Sequence, residues 1–157
     1  LAVLRSRGFT CLPDVARTHI QSRLQKGLGP RPDPLEFARS LLQANIDQYD
    51  RAIDDGLPMF FDFSIVEALM MMKEWELLTD DEIVDHLRSR PYCRTVFFVP
   101  PWEAIYTQDE ERDQTFHDSV RISNSIRDGY QSLGLTLVTL PFASPEARAD
   151  MILESIA

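Results

Sequence analysis

Apolar residues fall along this 157-residue chain in two kinds of run: short, nearly continuous ones and longer ones spaced by three and four. The short runs, Phe9–Leu12, Met59–Phe63, Thr95–Val99 and Leu135–Leu140, have strand length. The two around Phe60 and Phe97 read as buried strands, the second of the type covered on both faces of a parallel sheet. The spaced runs predict helices. Leu1 to Arg7 reads as a helix end stopped by Gly8. Pro13 and Asp14 open a helix bearing Val15, His19, Ile20 and Leu24 that ends near Gly27. After a rigid Gly29–Pro34 connector, Leu35, Ala38, Leu42, Ile46, Tyr49 and Ile53 predict an amphipathic helix from Pro34 to Asp55, ended by Gly56. Ser64 caps a helix with Leu69 and Met70, Met71 and Met72; three consecutive methionines cannot share one face, so that helix is expected to be covered on several sides. Thr79 and Glu82 form a capping-box pattern ahead of the face Ile83, Val84 and Leu87. Phe116, Val120, Ile126, Tyr130 and Leu133 predict a long helix stopped by Gly134, and Ser144 with Pro145 starts a last one carrying Ile152, Leu153 and Ile156.

Strands and helices in alternation mean an α/β, three-layer fold with a mostly parallel sheet. No repeat, low-complexity segment or linker interrupts it, so residues 1–157 read as one domain. The order carries an anomaly: the chain opens on a helix with no strand before it. In nucleotide-binding folds of this kind the first strand is central and carries the phosphate loop at its carboxyl end. A sheet without it leaves unpaired backbone groups, each costing about 1–3 kcal/mol if buried. A strand from upstream residues or from elsewhere must therefore fill the gap; a homodimer in which a second chain fills it is one form of that expectation. The absence of an initiator methionine at Leu1 agrees with upstream residues.

Charge removes some function classes. Lys and Arg number 16 against 25 Asp and Glu, for a net charge of −9, which argues against non-specific binding to nucleic acid or anionic membrane. It leaves nucleotides open, since a few placed arginines hold phosphate whatever the global charge. No apolar run approaches the roughly 20 residues of a membrane span, and no signal peptide is visible, so the expected compartment is the cytoplasm. Cys11 and Cys93 lack metal-type spacing and read as buried structural thiols; His19, His86 and His117 have no triad or metal neighbours.

Three constellations carry candidate chemistry. Asp14 and Arg17 follow the first strand, where open α/β sheets bind ligands, and Asp14 could accept a proton from a substrate hydroxyl; equally, it could only start the helix. Asp62 ends the Phe60-Phe61 strand in the arrangement that orients Mg²⁺ in nucleotide hydrolases; the alternative is a cap for the next helix. Pro100-Pro101-Trp102 through Tyr106, then Asp109-Glu110-Glu111-Arg112, has the make-up of a lid segment in which Arg112 would clamp phosphate, or of a solvated charged turn. Neither GxxxxGK[ST] nor GxGxxG occurs.

Taken in order, these residues resemble a known group, the AAA-type ATPase domains of the P-loop kinase-like class, related to nicotinamide riboside kinase-like and deoxynucleoside kinase-like proteins. The resemblance runs through Arg7-Gly8-Phe9, Pro13 to Arg17, Phe60 to Ser64, Pro100-Pro101-Trp102 with Ile105-Tyr106, Asp109 with Glu111-Arg112 and Gln114 to Phe116, and Leu140-Pro141 with Ser144, Arg148 and Ile152-Leu153. It covers nearly the whole chain, and it implies a phosphate loop immediately before Leu1. It further implies ATP or GTP as substrate, Mg²⁺ as cofactor, and phosphoryl transfer to an unidentified acceptor or nucleotide hydrolysis. On this resemblance Asp62 would place Mg²⁺, Asp14 would be a general base or substrate ligand, Arg112 a lid clamp, and Arg17, Trp102 and Tyr106 the acceptor side. Three departures favour a rival, a degenerate binding or scaffold domain: Asp14 stands where the group usually has Glu, Phe63 where Arg is common, and Asp113 where a second basic residue is frequent.

Overall fold

The computed structural model describes residues 1–30, 33–52, 56–74, 78–108 and 114–156. They group into two compact units, one made of Leu1 and Phe9–Tyr92, the other of Ala2–Gly8 and Cys93–Ala157.

The first unit begins with strand β1 (Cys11–Leu12), which runs parallel to β2 (Phe60–Phe61) with Leu12 opposite Phe61. Helix α2 (Val15–Gln25) lies between them in sequence and ends before Gly27, whose φ of 70° only glycine adopts without strain. Helix α3 (Pro34–Asp50) starts on an Asp33 cap, the Asp33 carboxylate accepting from the Leu35 and Glu36 amides, and stops at Asp50. It is shorter than the period of its apolar residues predicts, and Ile53 and Asp55 lie outside the described residues. Helix α4 (Ile65–Glu74) buries Ile65, Val66, Ala68, Leu69 and Met72, a band too wide for one narrow face, while Met70 and Met71 are half-buried. Helix α5 (Asp80–Ser89) has the full capping box: the Thr79 hydroxyl accepts from the Glu82 amide, and the Glu82 carboxylate accepts from the Thr79 amide. The Thr79 amide and hydroxyl, both donating to it, hold the Glu82 carboxyl below the usual glutamate range. Of its expected face only Ile83 is buried and Leu87 half-buried; Val84 is exposed, because a single buried stripe satisfies this short helix.

The core of this unit is the seam where α2, α3 and α4 meet. Val15, Ile20, Phe37, Leu41 and Ala68 form it, and Phe63 and Met71 pack against its edge. A polar side chain is buried on α3 as well. Asn45, 2% exposed, donates from Nδ2 to the Leu41 carbonyl at 2.8 Å, whereas its Oδ1 has no partner among the described residues. An acceptor buried that way costs about 1–3 kcal/mol, so Asn45→Leu, of similar volume, is expected to raise the urea midpoint. A lower midpoint would mean that an ordered water satisfies the amide.

In the second unit, helix α1 (Ala2–Ser6) ends at Gly8, with φ of 94°, and packs on α7 (Pro145–Ile156). Strands β3 (Thr95–Phe98) and β4 (Thr136–Thr139) pair in parallel from Thr95↔Thr136 to Phe98↔Thr139. Between them run a 3-10 turn, Glu103–Ile105, and helix α6 (Phe116–Ser132), whose Thr115–Asp118 capping box the sequence reading overlooked because Asp replaces the usual Glu or Gln. Among the described residues of this unit Leu4, Tyr130, Leu140, Ala149 and Ile152 are buried, whereas Cys93, expected to be a buried thiol, is exposed.

The expectation of a parallel α/β arrangement holds: all four strands form where expected and both pairings are parallel. Two details are corrected. Among the described residues the strands make two separate two-stranded ladders instead of one continuous sheet. Their residues are also mostly half-buried instead of enclosed, with Val99 exposed, because a strand paired on one side only keeps an open flank.

Candidate functional site

Two carboxylates stand at the carboxyl end of the β1–β2 ladder, near enough for the charge of Asp14 to act on Asp62. The ladder brings Leu12 beside Phe61, and the next rung, from the Asp62 amide to the Leu12 carbonyl at 3.2 Å, fixes the backbone of Asp62 against the end of β1. Two residues on from Leu12, Asp14 caps α2: its Oδ1 accepts from the Ala16 amide at 2.8 Å and from the Arg17 amide at 3.3 Å. The helix-start reading of Asp14 is thus what the hydrogen bonds show, and the capped carboxylate stands at the carboxyl end of a strand.

The Asp62 carboxyl is pushed above the ordinary aspartate value, first by the protein atoms crowding it and next by the negative charge of Asp14, with Arg17 pulling the other way. The residue as a whole is exposed, so this crowding is one-sided and leaves the carboxyl open to solvent. Capping of α4 falls to other groups. The Ser64 hydroxyl accepts from the Val66 amide at 3.1 Å, and the Glu67 carboxylate accepts from the Ser64 amide at 2.9 Å. The helix-cap alternative for Asp62 therefore gives way to Ser64.

The other candidates are placed as follows. Arg17 is exposed on the first turn of α2, one turn from Asp14 and within reach of Asp62 electrostatically. Trp102 and Tyr106 belong to the second unit. The Trp102 ring stacks on Phe142, centroids 5.1 Å apart, and the Tyr106 hydroxyl donates to the Gln114 carbonyl at 2.6 Å while its ring meets Phe116 edge-on. Arg112, with Asp109, Glu110, Glu111 and Asp113, lies outside the described residues. Phe63, in place of the arginine expected from the resemblance, packs against the core of the first unit.

Sequence reading missed two features nearby. A shallow groove of about 310 Å³ starts at Leu12 and is lined by Ala44, Gln48, Arg51 and Ala52. Its residues are scattered over two elements, so no local motif could announce it. The second is an aromatic cluster of Tyr49, Phe61 and Tyr92 directly behind Asp62. Its members lie far apart in the chain, so no local motif announces it.

Among the described residues no group of three His, Cys, Asp or Glu side chains could hold a metal ion unaided. Magnesium does not require one: it commonly takes one or two carboxylates and completes its shell with water and substrate phosphate. An Asp14–Asp62 pair in which one charge already raises the proton affinity of the other fits that mode. No helix among the described residues is long and apolar enough to cross a membrane.

Comparison with known proteins adds the family. No curated protein and no solved structure matches the chain. A family model described as an AAA domain matches residues 1–148, nearly the full length that carries the ladder ends, Asp14 and Asp62, and the chain belongs to that AAA domain family.

Proposed function

We propose that this AAA-family domain binds ATP or GTP with magnesium at the carboxyl end of the β1–β2 ladder and supports phosphoryl transfer or nucleotide hydrolysis there. Family membership points to nucleotide binding in general. The observation that carries the finer reading is the like-charge pair: Asp14 and Asp62 come from the ends of two adjacent parallel strands, and the charge of one raises the proton affinity of the other. Holding two carboxylates together is unfavourable until a proton or a cation joins them. Asp62 would ligate the ion. Asp14, steadied by the α2 amides, would accept the proton of an attacking hydroxyl or hold the acceptor. Magnesium, when bound, would neutralise charge on the nucleotide phosphates. Arg17 would face the acceptor, and the adjoining groove, with the Arg51 guanidinium on its rim, has room for a small one. Arg112 as phosphate clamp, carried over from the resemblance and outside the described residues, completes the proposal. The 157 residues contain no GxxxxGK[ST] sequence, so turnover needs a phosphate-binding loop from outside them.

A second reading has one observation in its favour. Phe63, filling core space instead of offering a guanidinium, suits a degenerate domain that binds or scaffolds without chemistry. Thermal unfolding with Mg-ATP or Mg-GTP separates the two. A ligand at a hundredfold excess over Kd should add about 2.7 kcal/mol of stability. Asp62→Asn is expected to remove the magnesium-dependent part of that gain. An unshifted midpoint in the unsubstituted protein would favour the scaffold, and an unchanged gain in Asp62→Asn would remove Asp62 from the metal site.

A further inference from the structure

The segment Arg90-Pro91-Tyr92, just beyond α5, is tied to its surroundings more heavily than a connector requires. The Arg90 guanidinium grips the last residue of α3 with two parallel hydrogen bonds, Nε to Asp50 Oδ1 at 2.8 Å and Nη2 to Oδ2 at 2.7 Å. The Tyr49 hydroxyl donates to the Pro91 carbonyl at 2.8 Å. The Tyr92 ring then meets Tyr49 at 5.2 Å and Phe61 at 5.1 Å, both edge-on, while Tyr49 stacks on Phe61 at 5.8 Å. At its far end the Tyr92 hydroxyl accepts from the Ile65 amide at 3.5 Å, and burial pushes that phenol up to about 12. Tyr92 therefore touches the residue just before Asp62 and the first residue of the helix that follows.

We propose that Tyr92, wedged between the Phe61 ring and the Ile65 amide and anchored by Arg90 on Asp50, is a positioning residue that fixes the Phe61–Ile65 turn and thereby aims the Asp62 carboxylate. The idea rests on the function proposed for Asp62, but its physical content is separate. A turn of four peptide units that ends a two-residue strand has little regularity of its own to hold it. The ladder supplies one fixed point, the Asp62 amide on the Leu12 carbonyl, and α4 supplies another through Ser64 and Glu67. Phe63, packed on the α2–α3–α4 core, adds a contact on the helix side, but none of these alone keeps the Phe61 side of the turn from tilting. Three rings packed on one side do, because a tilt would open a gap between Phe61 and Tyr92 and forfeit their contact. The bidentate Arg90–Asp50 pair keeps the wedge from backing out, since its fork geometry allows little sliding.

The test is native-state hydrogen exchange, followed residue by residue without nucleotide or metal. In Tyr92→Leu the amides of Asp62, Ser64 and Ile65 are expected to exchange at least about tenfold faster, while the Ile20 and Leu41 amides keep their rates, the signature of local opening. In Tyr92→Phe, which keeps the ring and loses the acceptor, only Ile65 should accelerate. Equal acceleration across the whole unit would mean that Tyr92 is merely structural, and unchanged rates at Asp62 and Ser64 would mean that it holds nothing; either result overturns the proposal. If Tyr92→Leu does not fold, Arg90→Gln takes its place, expected to speed the same three amides while the exposed control Arg88→Gln does not. Absence of the control difference would overturn it as well. Because no metal is present, failure of the Asp62→Asn experiment would cancel the metal role without altering this outcome, so the two failures are distinguishable.

Discussion

Leu41→Ala is expected to lower the unfolding free energy of the first unit by about 2–5 kcal/mol, the range for truncating a fully buried leucine. Leu41 is 1% exposed and sits on α3 amid Val15, Ile20, Phe37 and Ala68. Where in that range the loss falls depends on what can refill the space. Ala38 and Ala68 are wholly buried and have no side chain to extend into the void. Those alanines let α3 and α4 approach closely, and a closely approached pair of backbones relaxes little. Met71, at the edge of the cluster, is the flexible neighbour able to swing inward, and it sets the lower end of the range. Urea unfolding should therefore show an earlier midpoint at an unchanged slope. A loss below about 1 kcal/mol would mean that the core is far more adaptable than its interlocked helices suggest.

Leu4→Ala should cost a similar amount, about 2–5 kcal/mol, in the second unit, and the comparison with its neighbour Arg7 tells which force holds α1. Leu4 is 3% exposed. Helix α1 has five residues, too few to be stable by hydrogen bonds alone, so it exists only because its apolar side is docked on α7. Arg7 also reaches α7, pairing with Asp150 at 2.7 Å, but both side chains are substantially exposed. Such pairs contribute about 0–1 kcal/mol. Arg7→Ala is thus expected to change the thermal midpoint little and Leu4→Ala a great deal. The reverse ranking would mean that the ion pair, and not burial, docks the helix.

Much of the architecture was legible because its signals are local. Gly8, Gly27 and Gly134 take the positive φ expected just past a helix end, and Thr79 with Glu82 closes a capping box at the expected spacing. Parallel pairing followed from strands alternating with helices. What was not legible depends on partners distant in sequence. Half-burial of Phe97 and exposure of Val99 could not be read from a continuous apolar run, because the run has the same appearance whether one neighbour strand is present or two. For the site, the strand-end positions of Asp14 and Asp62 were legible, since each directly follows an apolar run and precedes a helix. The coupling between their charges was not, because it arises from the Leu12–Phe61 register across a stretch of chain containing two helices. Tyr92 escaped for the same reason: its partners Tyr49, Phe61 and Ile65 lie tens of residues upstream.

The docking of α1 on α7 has a consequence for synthesis on the ribosome. Every contact that completes the first unit, from β1 to Tyr92, is available once the middle of the chain has emerged, so that unit can fold while translation continues. Helix α1 precedes that unit in the chain yet has to wait for α7, which follows it, before Leu4 finds its cover. During that interval α1 carries an unsheltered apolar side chain. That side chain is then open to chaperones and proteases.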